Sequence, residues 1–172
     1  YGFLSDFAPG RAGSPATIAA LRRFHINALQ FYDWMYRHDQ FLPPTDLFTD
    51  PLGRTLSLAA TRALIDAAHA ANIAAMPYTA VYGASLDCFA AHPDWVLFDA
   101  EGKPIMFAGF LAIMDPRPGR PWTEHLLDQF DAILAALPFD GIHLDQYGEP
   151  KFAYDVEGQG FDLAQPPHDL IA

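Results

Sequence analysis

The 172-residue chain carries 10 Lys and Arg against 21 Asp and Glu, a net charge of −11. That balance excludes nucleic acid and anionic membrane surfaces as partners, since both need a basic face to displace counterions. Hydrophobic residues at 51% suffice for a packed core, and the single Cys88 excludes an internal disulfide or a multi-cysteine metal site. No apolar run approaches the roughly 18 residues of a membrane span. The length predicts one domain, and the opening at Tyr1 without Met predicts a piece of a longer protein.

Gly2 to Phe7 reads as a short strand closed by Pro9-Gly10. Ser14 then offers an N-cap with Pro15 at the first helical position, and Ile18, Leu21 and Phe24 recur at helical spacing. Asn27 to Trp34 is the second strand, followed by a loop through Pro43-Pro44. Thr61 to Ala71 is a helix with Asn72 at its C-terminal end, and Ile73 to Thr79 is the third strand, bent at Pro77. An excursion follows, with a β-hairpin over 95–107 whose turn is Asp99-Ala-Glu-Gly102. From Pro121 the stripe Leu126, Leu127, Phe130, Ile133, Leu134 and Leu137 marks the strongest helix, stopped by Pro138. Phe139 to Gln146 is strand four, and the Gly- and Pro-bearing tail from Tyr147 reads mostly as loop.

Alternating strands and helices predict parallel pairing through crossovers. No Gly-x-Gly-x-x-Gly or Walker pattern follows the first strand, so no nucleotide cofactor is expected. All four strands end in polar or aromatic residues, which is how a (β/α)8 TIM barrel builds its site. A full barrel takes about 250 residues, so residues 1–172 are expected to form one partial catalytic barrel domain of about four βα units.

Period-two alternation in strand four puts Ile142 and Leu144 on one face and His143 and Asp145 on the other, inward one. An inward acid is costly to bury unless paired or used, so Asp145 is the candidate catalytic carboxylate, the other reading being an acid tied to a neighbouring strand. His143 and Gln146 flank it. At the end of strand two, Tyr32, Asp33, Trp34 and His38 offer aromatic faces and hydrogen-bonding groups of the kind that hold sugars, with Arg37 the expected partner of Asp33. Asp6 at the end of strand one is a rim contact or a capping acid, and Tyr78 ending strand three is a further stacking candidate. The seven His show no metal-binding spacing, so no metal is expected.

Three stretches carry a resemblance: Leu21 to His38 (through Gln-Phe-Tyr-Asp-Trp-Met-Tyr-Arg-His), Met76-Pro-Tyr78 with Tyr82-Gly83, and Phe139-Asp-Gly-Ile-His-Leu-Asp-Gln-Tyr-Gly148. In these the chain resembles glycoside hydrolase family 66, the dextranases and cycloisomaltooligosaccharide glucanotransferases. The resemblance implies a secreted, extracellular enzyme with a retaining mechanism, acting on an oligo- or polysaccharide of α-1,6-linked, dextran-like glucan. It implies a nucleophilic Asp ending strand four, which falls on Asp145, and an acid/base Glu on a later strand. None of Glu101, Glu124, Glu149 and Glu157 stands there, so that Glu is expected outside this chain. Two other readings stay open: a non-catalytic carbohydrate-binding barrel, and a barrel glycosidase of another family.

Overall fold

The computed structural model describes residues 1–10, 15–145 and 150–163. The Ser14 cap, Gln146 and the end of the tail lie outside them. Internal packing divides the chain into two units, Tyr1–Thr79 with Phe130–His143, and Ala80–Gln129 with Leu144–Ala172.

The first unit carries most of a four-stranded sheet, ordered β1 (Gly2–Leu4), β2 (Ala28–Phe31), β5 (Ala74–Ala80) and β9 (His143–Asp145). β1 and β5 both pair with β2 in parallel, with Phe3 opposite Gln30 and Gln30 opposite Met76. Thr79 Oγ1 donates to the His143 carbonyl and the Val81 amide to the Asp145 carbonyl, so β5 and β9 advance together. α1 (Pro15–Arg23) connects the first pair and α2 (Leu58–Ala70) precedes β5. After the short α3 (Leu86–Ala91), α4 (Pro121–Ala136) precedes β9. The predicted crossover order is therefore present, with β1, β2 and β9 shorter than the sequence suggests and β5 of the expected length, and Pro77 lies within β5 opposite Phe31.

Tyr1, just before β1, and His143, at the start of β9, belong to opposite edges of this order, yet their rings stack 5.6 Å apart. Three strand spacings on a flat sheet would separate those edges by about 14 Å. The sheet is therefore strongly curved. Phe7, Phe31, Trp34 and Phe139 fill the core of the unit, with ring centroids 5.3–5.6 Å apart.

Helix ends follow local chemistry. Ser57 caps α2 by accepting from the Ala60 amide at 3.1 Å, so the helix begins at Leu58, three residues ahead of the predicted start. Asn72 takes φ 56° as its amide donates to His69 and that of Ile73 to Ala68. This is the paired closure of a Schellman motif. His25 ends α1 in the same way, at φ 59°.

The second unit holds a three-stranded antiparallel sheet ordered β6 (Gly83–Ser85), β8 (Leu111–Ile113), β7 (Met106–Phe107). Its core is Val81, Tyr82, Leu97, Ile113, Ala153 and Leu163. The arms of the predicted 95–107 hairpin do meet, with the Ile105 amide donating to Leu97 and a bridge between Phe98 and Pro104. β8, to which Leu97 also bonds through Ile113, was not legible in the sequence. The tail is not mostly loop over its described part: β10 (Phe152–Tyr154) and β11 (Gly160–Asp162) form an antiparallel hairpin. In the first unit β3 (Leu47–Thr49) and β4 (Thr55–Ser57) form another.

One turn recurs three times. Asp50-Pro-Leu-Gly-Arg54, Asp99-Ala-Glu-Gly-Lys103 and Asp155-Val-Glu-Gly-Gln159 share the pattern Asp-x-x-Gly-x. In each, the Asp carboxylate accepts the amides two and four residues on, at 2.7–3.1 Å. The Gly stands at φ 75–77°, a region open to glycine and closed to most side chains. The Asp supplies the fold of the turn and the Gly its exit into the returning strand.

Candidate functional site

The end of β2 gathers the predicted ligand contacts of the first unit. β2 stops at Phe31 because the chain turns at Asp33, which adopts φ 52°. Asp tolerates that left-handed conformation better than most residues, and such positions cluster at functional sites. The turn leaves Tyr32 38% exposed, its ring against that of Tyr78 at 4.8 Å. It sends Trp34 the other way. Trp34 is fully buried, packed edge-on to Phe139, and its indole donates to the Tyr78 carbonyl at 3.2 Å. Tyr78 is 2% exposed. Neither ring has a face to offer a sugar here, which corrects the stacking roles expected of Trp34 and Tyr78. Both are core residues, and Tyr32 rests on Tyr78.

Asp33 is half-buried and faces Arg54, not Arg37. Arg54 Nη2 lies 3.4 Å from the Asp33 carboxylate and donates to the Asp33 carbonyl at 3.3 Å. Its Nε donates to Asp50 at 2.7 Å. Arg37 instead donates to the Tyr36 and Thr49 carbonyls, its guanidinium over the Tyr36 ring. Burial pushes the Asp33 carboxyl above its usual range; Arg54 opposes this and Asp50 adds to it. A carboxyl raised by desolvation beside a specific charge partner is a functional-site signature.

His38 is buried, edge-on to Tyr78 at 6.5 Å. Burial lowers its imidazole below the ordinary value, against the pull of Asp39 and Asp50. Its Nδ1 has no hydrogen-bond partner among the described residues. His143 is half-buried, and its Nδ1 lies 2.6 Å from the Tyr1 hydroxyl. Asp6 is exposed and accepts from the Ala8 amide at 3.2 Å.

In the second unit Asp145 closes β9, half-buried, its carbonyl taking the Val81 amide at 3.1 Å. The same unit contains a charge cluster that sequence reasoning missed. Asp155 and Asp115 are buried, and Arg117 and Arg120 lie between them at 2.7–3.2 Å. Arg117 also sits 3.7 Å over the Phe161 ring. Arg54, Asp50 and Tyr1 were missed as well, though the recurrent Asp-x-x-Gly-x turn at Asp50 was a signal present in the sequence. Among the described residues no three His, Cys, Asp or Glu side chains gather to hold a metal ion, and no helix is long and apolar enough to cross a membrane.

What the first-unit group can do is bind: an exposed ring, a carboxylate with spare acceptor capacity and a neutral imidazole suit a hydroxyl-rich ligand. Residues 1–171 match the family described as Glycosyl hydrolase family 66. Two cycloisomaltooligosaccharide glucanotransferases of Niallia circulans are 30% and 32% identical over 95% of this chain. The chain spans only 18% and 19% of their length. A crystal structure of a Paenibacillus cycloisomaltooligosaccharide glucanotransferase, complexed with cycloisomaltoheptaose, superposes with a TM-score of 0.83 at 29% identity. That match covers 95% of this chain and 26% of the other. A maltogenic α-amylase from Thermotoga neapolitana shares the fold at TM-score 0.60 and 17% identity, over 86% of this chain and 39% of its own.

Proposed function

The chain belongs to glycosyl hydrolase family 66, and from that premise we propose that its parent protein is a retaining glycoside hydrolase or transglycosylase of α-1,6-linked, dextran-like glucan. Asp145 is the nucleophile in this reading, and the present residues are the first βα units of a (β/α)8 barrel. The curved sheet and its strand order support the barrel. The observation that carries the nucleophile is the position of Asp145, the acid that ends the fourth strand of that sheet, where barrel enzymes keep their chemistry. Tyr32, Asp33, His38, His143, Asp6 and Gln146 are the proposed sugar contacts. A polymeric glucan is met outside the cell, which supports an extracellular enzyme.

The chemistry is a double displacement. An oxygen of Asp145 attacks the anomeric carbon while the glycosidic C–O bond breaks and a carboxylic acid protonates the departing oxygen. The resulting glycosyl ester is opened by water, giving hydrolysis, or by a sugar hydroxyl, giving transfer. Glu101, Glu124 and Glu157 are exposed, which supports an acid/base Glu supplied by the rest of the protein.

The test uses the full-length protein. Asp145→Gly is expected to lose several orders of magnitude in kcat, since nucleophile and acid act as a unit. Added azide should restore turnover and yield the β-glycosyl azide. Proton NMR of the unmodified enzyme should show the α-anomer of the reducing sugar first. A β-anomer appearing first, or near-normal activity of Asp145→Gly, refutes the assignment.

A further inference from the structure

The second unit contains a cleft that the proposed chemistry leaves unused. Phe98 and Tyr154 exchange backbone hydrogen bonds at 2.8 and 2.9 Å. Two of the three recurrent turns, Asp99 to Lys103 and Asp155 to Gln159, therefore stand side by side. Between them lies a cleft of about 330 Å³ whose walls include Phe98, Asp99, Ala100, Tyr154 and Val156. That volume is at the lower end of small-molecule sites, about 300–1,000 Å³.

The polar groups on its walls are not equivalent. Asp155 is committed: one oxygen takes the Glu157 and Gln159 amides and the other takes Arg117 and Arg120. Asp99 uses only Oδ1, on the Glu101 and Lys103 amides. Its Oδ2 and the Tyr154 hydroxyl have no hydrogen-bond partner among the described residues. Phe98 and Tyr154 are both half-buried. The lining thus includes two aromatic residues, Tyr154 being edge-on to Phe152 at 5.4 Å, with one open carboxylate acceptor and one phenolic hydroxyl. Aromatic rings suit the C–H faces of a pyranose and a carboxylate suits its hydroxyls, whereas the net charge of −11 disfavours an acidic sugar.

We propose that this cleft is a second, non-catalytic binding site for one or two pyranose units of a neutral glucan chain. Its identification of the glucan rests on the function proposed above. Holding a long substrate at a second point raises its effective concentration at the first, so the site acts on polymers more than on short oligosaccharides.

Ala100→Trp in the full-length protein would fill the cleft, Tyr154→Phe would remove the phenolic hydroxyl, and Asp99→Asn would replace the open carboxylate acceptor by an amide donor while keeping the Oδ1 acceptor of the turn. Binding is measured by affinity electrophoresis in dextran, in an Asp145→Asn background, with circular dichroism to establish folding. The apparent Kd for dextran should rise at least fivefold in Ala100→Trp and about threefold in each conservative variant. In the active enzyme, the ratio of kcat/KM on dextran to that on isomaltotriose should fall by a similar factor. If folded Ala100→Trp binds dextran like its parent, the site is refuted. If Ala100→Trp misfolds, parent-like binding by the Tyr154→Phe, Asp99→Asn double variant refutes it instead. A parent that does not cleave dextran, but whose binding Ala100→Trp weakens, overturns the functional reading and leaves the cleft standing.

Discussion

Substituting Asp155 by Ala tests whether the buried charge cluster, rather than the turn alone, fixes the second hairpin of the second unit. The structure supplies its own control, because Asp99 folds the same turn without arginine partners. Removing either Asp takes two amide hydrogen bonds, together worth about 2 kcal/mol. At Asp155 it also takes the bonds from Arg117 and Arg120, at 2.7 and 2.8 Å. Those arginine side chains are 27% and 32% exposed and keep Asp115 as a partner. The two bonds are therefore set at about 1 kcal/mol each, well below the cost of breaking a fully buried pair. The expected totals are about 4 kcal/mol for Asp155→Ala and about 2 kcal/mol for Asp99→Ala. Hydrogen exchange of the full-length protein reads this locally, over 150–163 and 96–107. The difference of about 2 kcal/mol corresponds to roughly 30-fold faster exchange at the Asp155 turn than at the Asp99 turn. Equal acceleration at both turns would show that the arginines contribute nothing. Burial raises the Asp155 carboxyl, but Arg117, the Gln159 amide and Arg120 more than offset this and hold it below the usual range. A depressed carboxylate contributes stability that is complete above its unfolded pKa, near 3.9, and lost as the pH falls through the lower folded value. Asp155→Asn should flatten that acid loss.

Two further outcomes follow from geometry. Trp34→Phe should lower Tm with kcat/KM little changed in the folded fraction, whereas Tyr32→Ala should leave Tm nearly intact and reduce kcat/KM on oligosaccharide several-fold. The reverse pattern would return Trp34 to the site and remove Tyr32 from it. At the β7–β8 turn Ala108 and Gly109 both have positive φ, 50° and 76°, a turn that favours Asn-Gly. A left-handed Ala costs about 1–2 kcal/mol, so Ala108→Asn should raise Tm by a few degrees, and an unchanged or lower Tm would contradict the strain.

What the sequence made legible was whatever a single local period or cap decides. α4 begins at Pro121 and ends ahead of Pro138 as its stripe predicts, though Leu134 remains 41% exposed. The left-handed Asn72 was readable because Asn is one of few residues that accept that conformation. The small hairpins were not readable in the same way. Leu47-Phe-Thr49 and Phe152-Ala-Tyr154 are three-residue strands, too short for alternation to register, although the Asp-x-x-Gly-x turn that closes each was present. Trp34 was misassigned because the second strand was drawn through to it, whereas β2 ends at Phe31 and the chain turns at Asp33. The Arg117 and Arg120 partners lie 38 and 35 residues from Asp155 along the chain, a distance at which spacing carries no information.

The same long-range logic bears on Asp33. One guanidinium, that of Arg54, serves two carboxylates, and Asp50 has the stronger claim. Asp50 is nearly inaccessible, holds Arg54 at 2.5 Å and takes two amides of its own turn. Asp33 keeps only the longer 3.4 Å contact while desolvation works against its charge. Its carboxylate is thus the undercompensated member of the pair, 18% exposed at its side chain, on the backbone turn that also exposes the Tyr32 ring. A hydroxyl donated by a bound sugar would supply the hydrogen bond that Arg54 gives mainly to Asp50. Binding would then be strongest where the fold has left a charge least satisfied, beside the exposed Tyr32 ring that packs on the buried Tyr78.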